Sequence, residues 1–134
     1  QGLGNVTFLP PIPHERLPQL LADVDIGLVP LRANALFEGT LPLKVFELMA
    51  AAKPIVASVP PGELSTLIEE SGCGIAVPPG DPNPFIAAIE QLLEHPEHGE
   101  AMGRKGESHV FEHYTRQQLV EPLVSTFVAL TSRS

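Results

Sequence analysis

Short β-branched or aliphatic runs alternate with helical patterns along most of this chain, and that rhythm restricts the fold more than any other feature. The runs are Val6–Leu9, Ile26–Val29, Ile55–Ala57 and Ile75–Val77, each bounded by turn residues. Between them, His14–Ala22, Pro42–Ala52 and Gly62–Ser71 carry helical periodicity. Each of these stretches is long enough to cross back over a sheet, so the next strand returns parallel. The expected class is α/β, with a parallel sheet of about four strands and flanking helices.

Beyond the fourth run, the loop PPGDPNP supplies a turn and a helix start, with Asp81 or Asn83 as cap and Pro84 in the first turn. A helix over Pro84–Glu94 follows. The next helical stretch, Glu97–His113, contains Gly99, Gly103 and Gly106 and is therefore expected to be less regular. A last amphipathic segment carries Leu119, Leu123, Phe127 and Leu130 on one face, and Pro122 inside it makes the helix kink or begin there. With 43% hydrophobic residues but only 5% aromatics and no Trp, the core of this 134-residue unit must be aliphatic, which suits helices packed on a sheet.

Sixteen acidic against eight basic side chains give a formal charge of −8, which argues against general nucleic-acid binding. Any phosphate site must be local. The single cysteine, Cys73, cannot form an internal disulfide, so a reducing compartment is expected, with the thiol buried and inert. No apolar run reaches the roughly 20 residues of a membrane span, and the opening QGLGNVTF lacks the features of a leader. The expectation is a soluble piece of a longer protein.

Phe37–Ser58 is the segment that carries chemistry, because it sets a polar loop, a helix start and two acids just after a strand's carboxyl end. Open parallel sheets bind ligands there. Thr40 or Leu41 falls near the N-cap, Pro42 in the first turn, and the amides of Leu41, Leu43 and Lys44 are left without helical acceptors at the positive end of the helix, where anions bind. Val45, Leu48, Met49 and Ala52 follow the core-face spacing, whereas Lys44, Glu47 and Ala51 form a separate stripe. Amides and Lys44 could meet a phosphate while the carboxylate of Glu47 accepts from vicinal hydroxyls. The competing reading is a solvated Lys44–Glu47 pair worth about 0.3–0.5 kcal/mol, with Glu38 an ordinary loop acid.

The segments NVTFLPPIPHERLPQLLADVDIGLVPL, FEGTLPLKVFELMAAAKPIVAS and CGIAVPPGDP, in that order, resemble the later part of the carboxyl-terminal domain of GT-B fold, family 4 (group 1) retaining glycosyltransferases. The likeness runs from about Asn5 to Tyr114. In that family the middle segment reads E-x-M-A-x-G-K-P-V-V-A-S after a glutamate-glycine loop. The resemblance implies a partial Rossmann-like nucleotide-sugar-binding domain over residues 1–115, followed over 116–134 by the family's cross-over helix. It also implies sugar transfer from a nucleotide-diphosphate sugar to a hydroxyl acceptor, with no metal and no cofactor.

By the same resemblance Glu47 matches the second glutamate of the family's pair, which receives the ribose hydroxyls. The first glutamate, on the donor sugar, belongs eight positions earlier, where Gly39 stands and the acid is Glu38. Either Glu38 still reaches the sugar or the amides of Gly39, Thr40 and Leu41 take over. Leu9-Pro10 lies where the base stacks on backbone and aliphatic atoms. No catalytic residue is assigned, because the family's diphosphate clamp and acceptor-binding domain lie upstream of Asn5, and the isolated piece is expected to be inactive. In the family's 3-2-1-4-5-6 sheet, this chain would supply strands 3, 4, 5 and 6. The first run must then re-pair beside Ile26–Val29, detach, or be completed by another chain, and self-association through it or through the final helix is the corresponding expectation. The implied location is the cytoplasm, with peripheral contact at the inner membrane face left open for the full-length enzyme. The alternative is a non-catalytic α/β binding or assembly module.

Other constellations carry less. His109 and His113 have the i, i+4 spacing of a zinc pair but no third ligand, His95 and His98 flank a helix-linking turn, and His14 follows Pro13 as a cap for the first helix. Ser58, Ser65 and Ser71 lack a nucleophile-elbow context.

Overall fold

The computed structural model describes residues 2–131, the side chains of Leu130 and Thr131 excepted. Three strands, β1 (Gly27–Pro30), β2 (Ile55–Ser58) and β3 (Gly74–Val77), form a parallel sheet in that order. Leu28, Val56 and Ile75 stand in register across it, as do Val29, Ala57 and Ala76. Side chains alternate faces along each strand. Val29, Ile55 and Ala57 therefore join one buried cluster with Val45, Met49, Leu64 and Ile68, while Val56 joins Ala88 and Leu92 in a second on the opposite face. The chain is α/β with a parallel sheet, as the alternating runs predict.

The helices are α1 (Leu17–Ala22), preceded by a 3-10 turn over His14–Arg16, α2 (Leu43–Ala50), α3 (Glu63–Ser71), α4 (Pro82–Glu94), α5 (Pro96–His113) and α6 (Arg116–Thr131). Asp81 caps α4, its carboxylate accepting from the Asn83 amide at 3.0 Å.

The strand expected at Val6–Leu9 is absent, so the sheet has three strands rather than about four. Phe8 is 93% exposed, and Val6 and Leu9 are also open to solvent. A strand needs a neighbour to take its amides and carbonyls, and β1 is hydrogen-bonded to β2 alone. Of the three fates expected for this run, re-pairing beside β1 does not occur within the chain, and the run stands apart from the sheet.

Two further expectations are corrected. The stretch expected to be irregular is one continuous 18-residue helix, α5. Gly99, Gly103 and Gly106 form its buried face: a Cβ at 103 would strike the carbonyl of Ala52, and one at 106 would press on Cys73. The glycines are what lets α5 pack closely on the α2–β2 turn and on Cys73. Nor does the last helix begin at Pro122. Thr115 and Gln118 form a capping box, the Thr115 amide donating to the Gln118 side chain at 3.3 Å and the Gln118 amide to the Thr115 hydroxyl at 3.4 Å. This starts α6 at Arg116, and Pro122 lies within it. On its expected apolar face Leu119, Leu123 and Phe127 are exposed, and the Leu130 side chain and residues 132–134 lie outside the described residues.

The α2–β2 turn carries a backbone constraint of its own. The Lys53 amide donates to the Leu48 carbonyl at 2.9 Å and the Ala52 amide to that of Met49 at 3.0 Å, the two bonds of a Schellman ending. Ala52 consequently sits at φ 56°, the left-handed region where glycine is preferred and where the family pattern has glycine.

Cys73 is fully buried, and its burial pushes the thiol's pKa up from the ordinary value, so it stays protonated and unreactive at neutral pH.

Two substitutions test this packing by urea denaturation. Ala52→Gly is expected to stabilise the chain by about 0.5–1 kcal/mol, relief of left-handed strain outweighing the added chain entropy. Gly103→Ala is expected to cost about 1–3 kcal/mol although alanine is the better helix former, because the new methyl has no room against Ala52.

Candidate functional site

Both α1 and α2 run back against the strand direction, one into the start of β1 and the other into the start of β2. Their amino ends therefore share the side of the sheet where the strands end, the side on which open parallel sheets take ligands. Between them lies a groove of about 350 Å³, lined by His14, Leu17, Pro18, Leu21 and Ala22 from one wall and Glu47, Ala50 and Ala51 from the other. That volume falls at the lower end of small-ligand sites. Apart from Glu47 and His14, its lining side chains are all hydrocarbon.

Glu47 reaches this groove because the three inward positions of its helix, Val45, Leu48 and Met49, are held in the core. Its side chain is 25% exposed, and its Oε1 lies 3.9 Å from Nδ1 of His14, which is 80% exposed. The Thr115 to Gln118 capping box and the ring pair of Phe46 with Tyr114, 4.9 Å apart, lie on other parts of the molecule and leave this groove clear.

The amino end of α2 differs in detail from the expected one. Pro42, not Thr40 or Leu41, is the N-cap, with an extended backbone and no side-chain cap. Thr40 is spent elsewhere: its hydroxyl donates to the Leu36 carbonyl at 2.6 Å, closing the 3-10 turn Ala35–Phe37 before the helix starts. The Val45 amide donates to the Pro42 carbonyl at 3.0 Å. Leu43 and Lys44 then occupy the first two helical positions, where amides have no intrahelical acceptor, and both side chains are exposed.

Glu38, Gly39 and Leu41 line a different and wider groove of about 630 Å³, together with Gly62, Glu63, Thr66, Glu70 and Tyr114. The Glu63 amide donates to the Glu38 carbonyl at 2.8 Å, and Gly62 lies so close to that carbonyl that a Cβ would collide with it. The loop bearing Glu38 is thus pinned to the start of α3. Leu9 and Pro10 are exposed in the detached amino-terminal segment and line neither groove. The candidate donor residues are therefore spread over two grooves and one helix start.

Residues 1–95 match the family model for glycosyl transferases group 1. The chain belongs to this family. Two relatives agree: TuaH of Bacillus subtilis (strain 168), assigned to teichuronic acid biosynthesis as a glycosyltransferase, is 34% identical over 92 residues, covering 68% of this chain and 22% of its own. WbjE of Pseudomonas aeruginosa, also assigned as a glycosyltransferase, is 39% identical over 75 residues, covering 55% of this chain and 18% of its own. The chain thus spans about a fifth of the length of these relatives. Among solved structures, the sucrose-phosphate synthase of Thermosynechococcus elongatus superposes on 98% of this chain with a TM-score of 0.84 and 25% identity, using 32% of its own length. That match supports the Rossmann-like arrangement of this group 1 glycosyltransferase segment.

His14 is the groove residue that sequence reasoning assigned elsewhere. Pro13, not His14, is the cap of the 3-10 turn, and no side chain caps it. His14 and Glu47 are 33 positions apart in different helical patterns, so no local spacing could have paired them. Among the described residues no cluster of three or more His, Cys, Asp or Glu side chains is placed to hold a metal ion, and no helix is long and apolar enough to cross a membrane.

The α1 wall of the groove is held by Leu21, packed against the main core, and by Lys53, whose ammonium donates to the Ala22 carbonyl at 2.9 Å. A cation at a helix's carboxyl end also meets the negative end of its dipole. Lys53→Met is expected to cost about 0.5–1.5 kcal/mol and to speed amide hydrogen exchange in α1 before any other helix; equal exchange rates in the variant would show that Leu21 alone suffices.

Proposed function

We propose that this chain is the donor-binding part of a glycosyltransferase that moves a sugar from a nucleotide-diphosphate sugar to a hydroxyl acceptor, with retention at the sugar. The observation that carries the reading is the placement of Glu47: a half-buried carboxylate at the end of an apolar groove nearest the strands' carboxyl ends. Hydrocarbon walls suit the flat face of a base, and two carboxylate oxygens suit a ribose diol.

The remaining assignments follow from distance along the chain and from chemistry. At the start of α2, the amides of Leu43 and Lys44 and the Lys44 ammonium take the diphosphate, where the helix dipole favours anions and stabilises a leaving group that gains negative charge. Thr40 and Leu41 contribute through backbone. Glu38 and Gly39 face the sugar end, since a wall bearing Glu38, Glu63 and Glu70 favours hydroxyls over phosphate. Leu9 and Pro10 would close over the base from the amino-terminal segment. With about a fifth of its relatives' length, the chain alone is expected to bind donor without turnover. The acceptor domain, its companion in the complete enzyme, would supply the rest. The cytoplasm, with inner-face membrane contact by the full-length enzyme, is the setting that suits the free, buried Cys73.

A second reading is a non-catalytic assembly module, favoured by the open edge of β1 and by Leu119, Val120, Leu123 and Val124, all exposed on α6. Titration with uridine and guanosine diphosphates separates the two. Saturable binding that falls at least about tenfold in Glu47→Ala is expected from the donor reading, the loss of hydrogen bonds to a charged group. Binding indifferent to that substitution, or none at all, favours the assembly module.

A further inference from the structure

The groove holds a second polar group whose position relative to Glu47 has a specific chemical meaning. Nδ1 of His14 and Oε1 of Glu47 are 3.9 Å apart, too far for a direct hydrogen bond. A hydroxyl oxygen at ordinary hydrogen-bond length from both atoms would subtend an angle of roughly 90° between them, close to the angle between a hydroxyl's own proton and its lone pairs. One hydroxyl oxygen set to the side of the two atoms can therefore bridge them. The gap is also polarised for one: the carboxylate only accepts, while an imidazole Nδ1–H donates, and a hydroxyl is the common group that answers both at once.

Resting on the nucleotide reading above, we infer that His14 is a binding residue for the donor's ribose, donating from Nδ1 to the same hydroxyl oxygen whose proton goes to Glu47. The two side chains form a two-point clamp on one hydroxyl of the diol and discriminate ribose from its deoxy analogues. The clamp is assembled from two helices. Glu47 is set by the packing of α2, with Val45, Leu48 and Met49 inward, and His14 opens the 3-10 turn that leads into α1. His14 is 80% exposed and no described element covers it, so its substitution leaves the core untouched.

The test is a cycle between protein and ligand, read by the displacement of groove resonances in nuclear magnetic resonance titrations of this chain. Uridine and guanosine diphosphates are compared with their 2′-deoxy and 3′-deoxy forms, on the unaltered chain, on His14→Ala and on Glu47→Gln. The unaltered chain should prefer the ribose form over one of the two deoxy forms. His14→Ala should weaken ribonucleotide binding about three- to tenfold, the worth of one neutral hydrogen bond, and leave that deoxy form unaffected. Equal weakening of ribose and both deoxy forms, or none in any, would overturn the clamp while Glu47→Gln still reports on the nucleotide site. Resonance shifts absent from the α1–α2 groove with every nucleotide would overturn the nucleotide reading and the clamp together.

Discussion

Strand β2 must be covered on both faces and bonded along both edges, and the other elements are placed by that need. Ile55, Val56 and Ala57 are wholly buried. In a parallel arrangement their amides and carbonyls find partners in β1 and β3, so β2 can be buried without stranding its polar backbone. One face receives α2, α3 and α5, the other α4. Since α4 packs mainly on β2 and β3, Leu28 on β1 remains 45% exposed, and the sheet ends in an open edge.

The same demand shapes the groove. To deliver β2 into the core, α2 must stop abruptly, and it does so through a left-handed Ala52 whose carbonyl lies against Gly103. Lys53, next in the chain, reaches across to the end of α1 and holds that helix beside α2. A turn required by the core therefore also builds one wall of the candidate site.

Separation of the two grooves bears on how a donor would lie. Glu47 and His14 sit between α1 and α2, whereas Glu38 and Gly39 sit against α3, with the amino end of α2 linking them in sequence. A nucleotide-diphosphate sugar is an extended molecule with a flat base at one end, a hydroxyl-rich ring at the other and charge in the middle.

Much of this was legible in the amino-acid sequence, because strand and helix patterns in an α/β unit are local statements about which side of each element is buried. Three of the four apolar runs became strands, with β1 displaced by one residue, and of the expected core face Val45, Leu48 and Met49 are buried while Ala52 falls past the end of the helix in the turn. Membership in group 1 of the glycosyltransferases was readable from the order of its segments. What failed depended on partners distant in the chain. Val6–Leu9 has a strand's composition yet does not pair with the open edge of β1, and Gly99, Gly103 and Gly106 look like helix breakers until the Ala52 carbonyl and Cys73 are set against them. The N-cap of α2 failed for a local reason instead: Thr40 turned back four residues to the Leu36 carbonyl rather than capping α2. The amino-acid order thus determined the elements and the chemistry each could carry, and the tertiary structure decided which of them meet. His14 stands beside Glu47 only because packing on a shared sheet sets two helices side by side, and no spacing within one element encodes that distance.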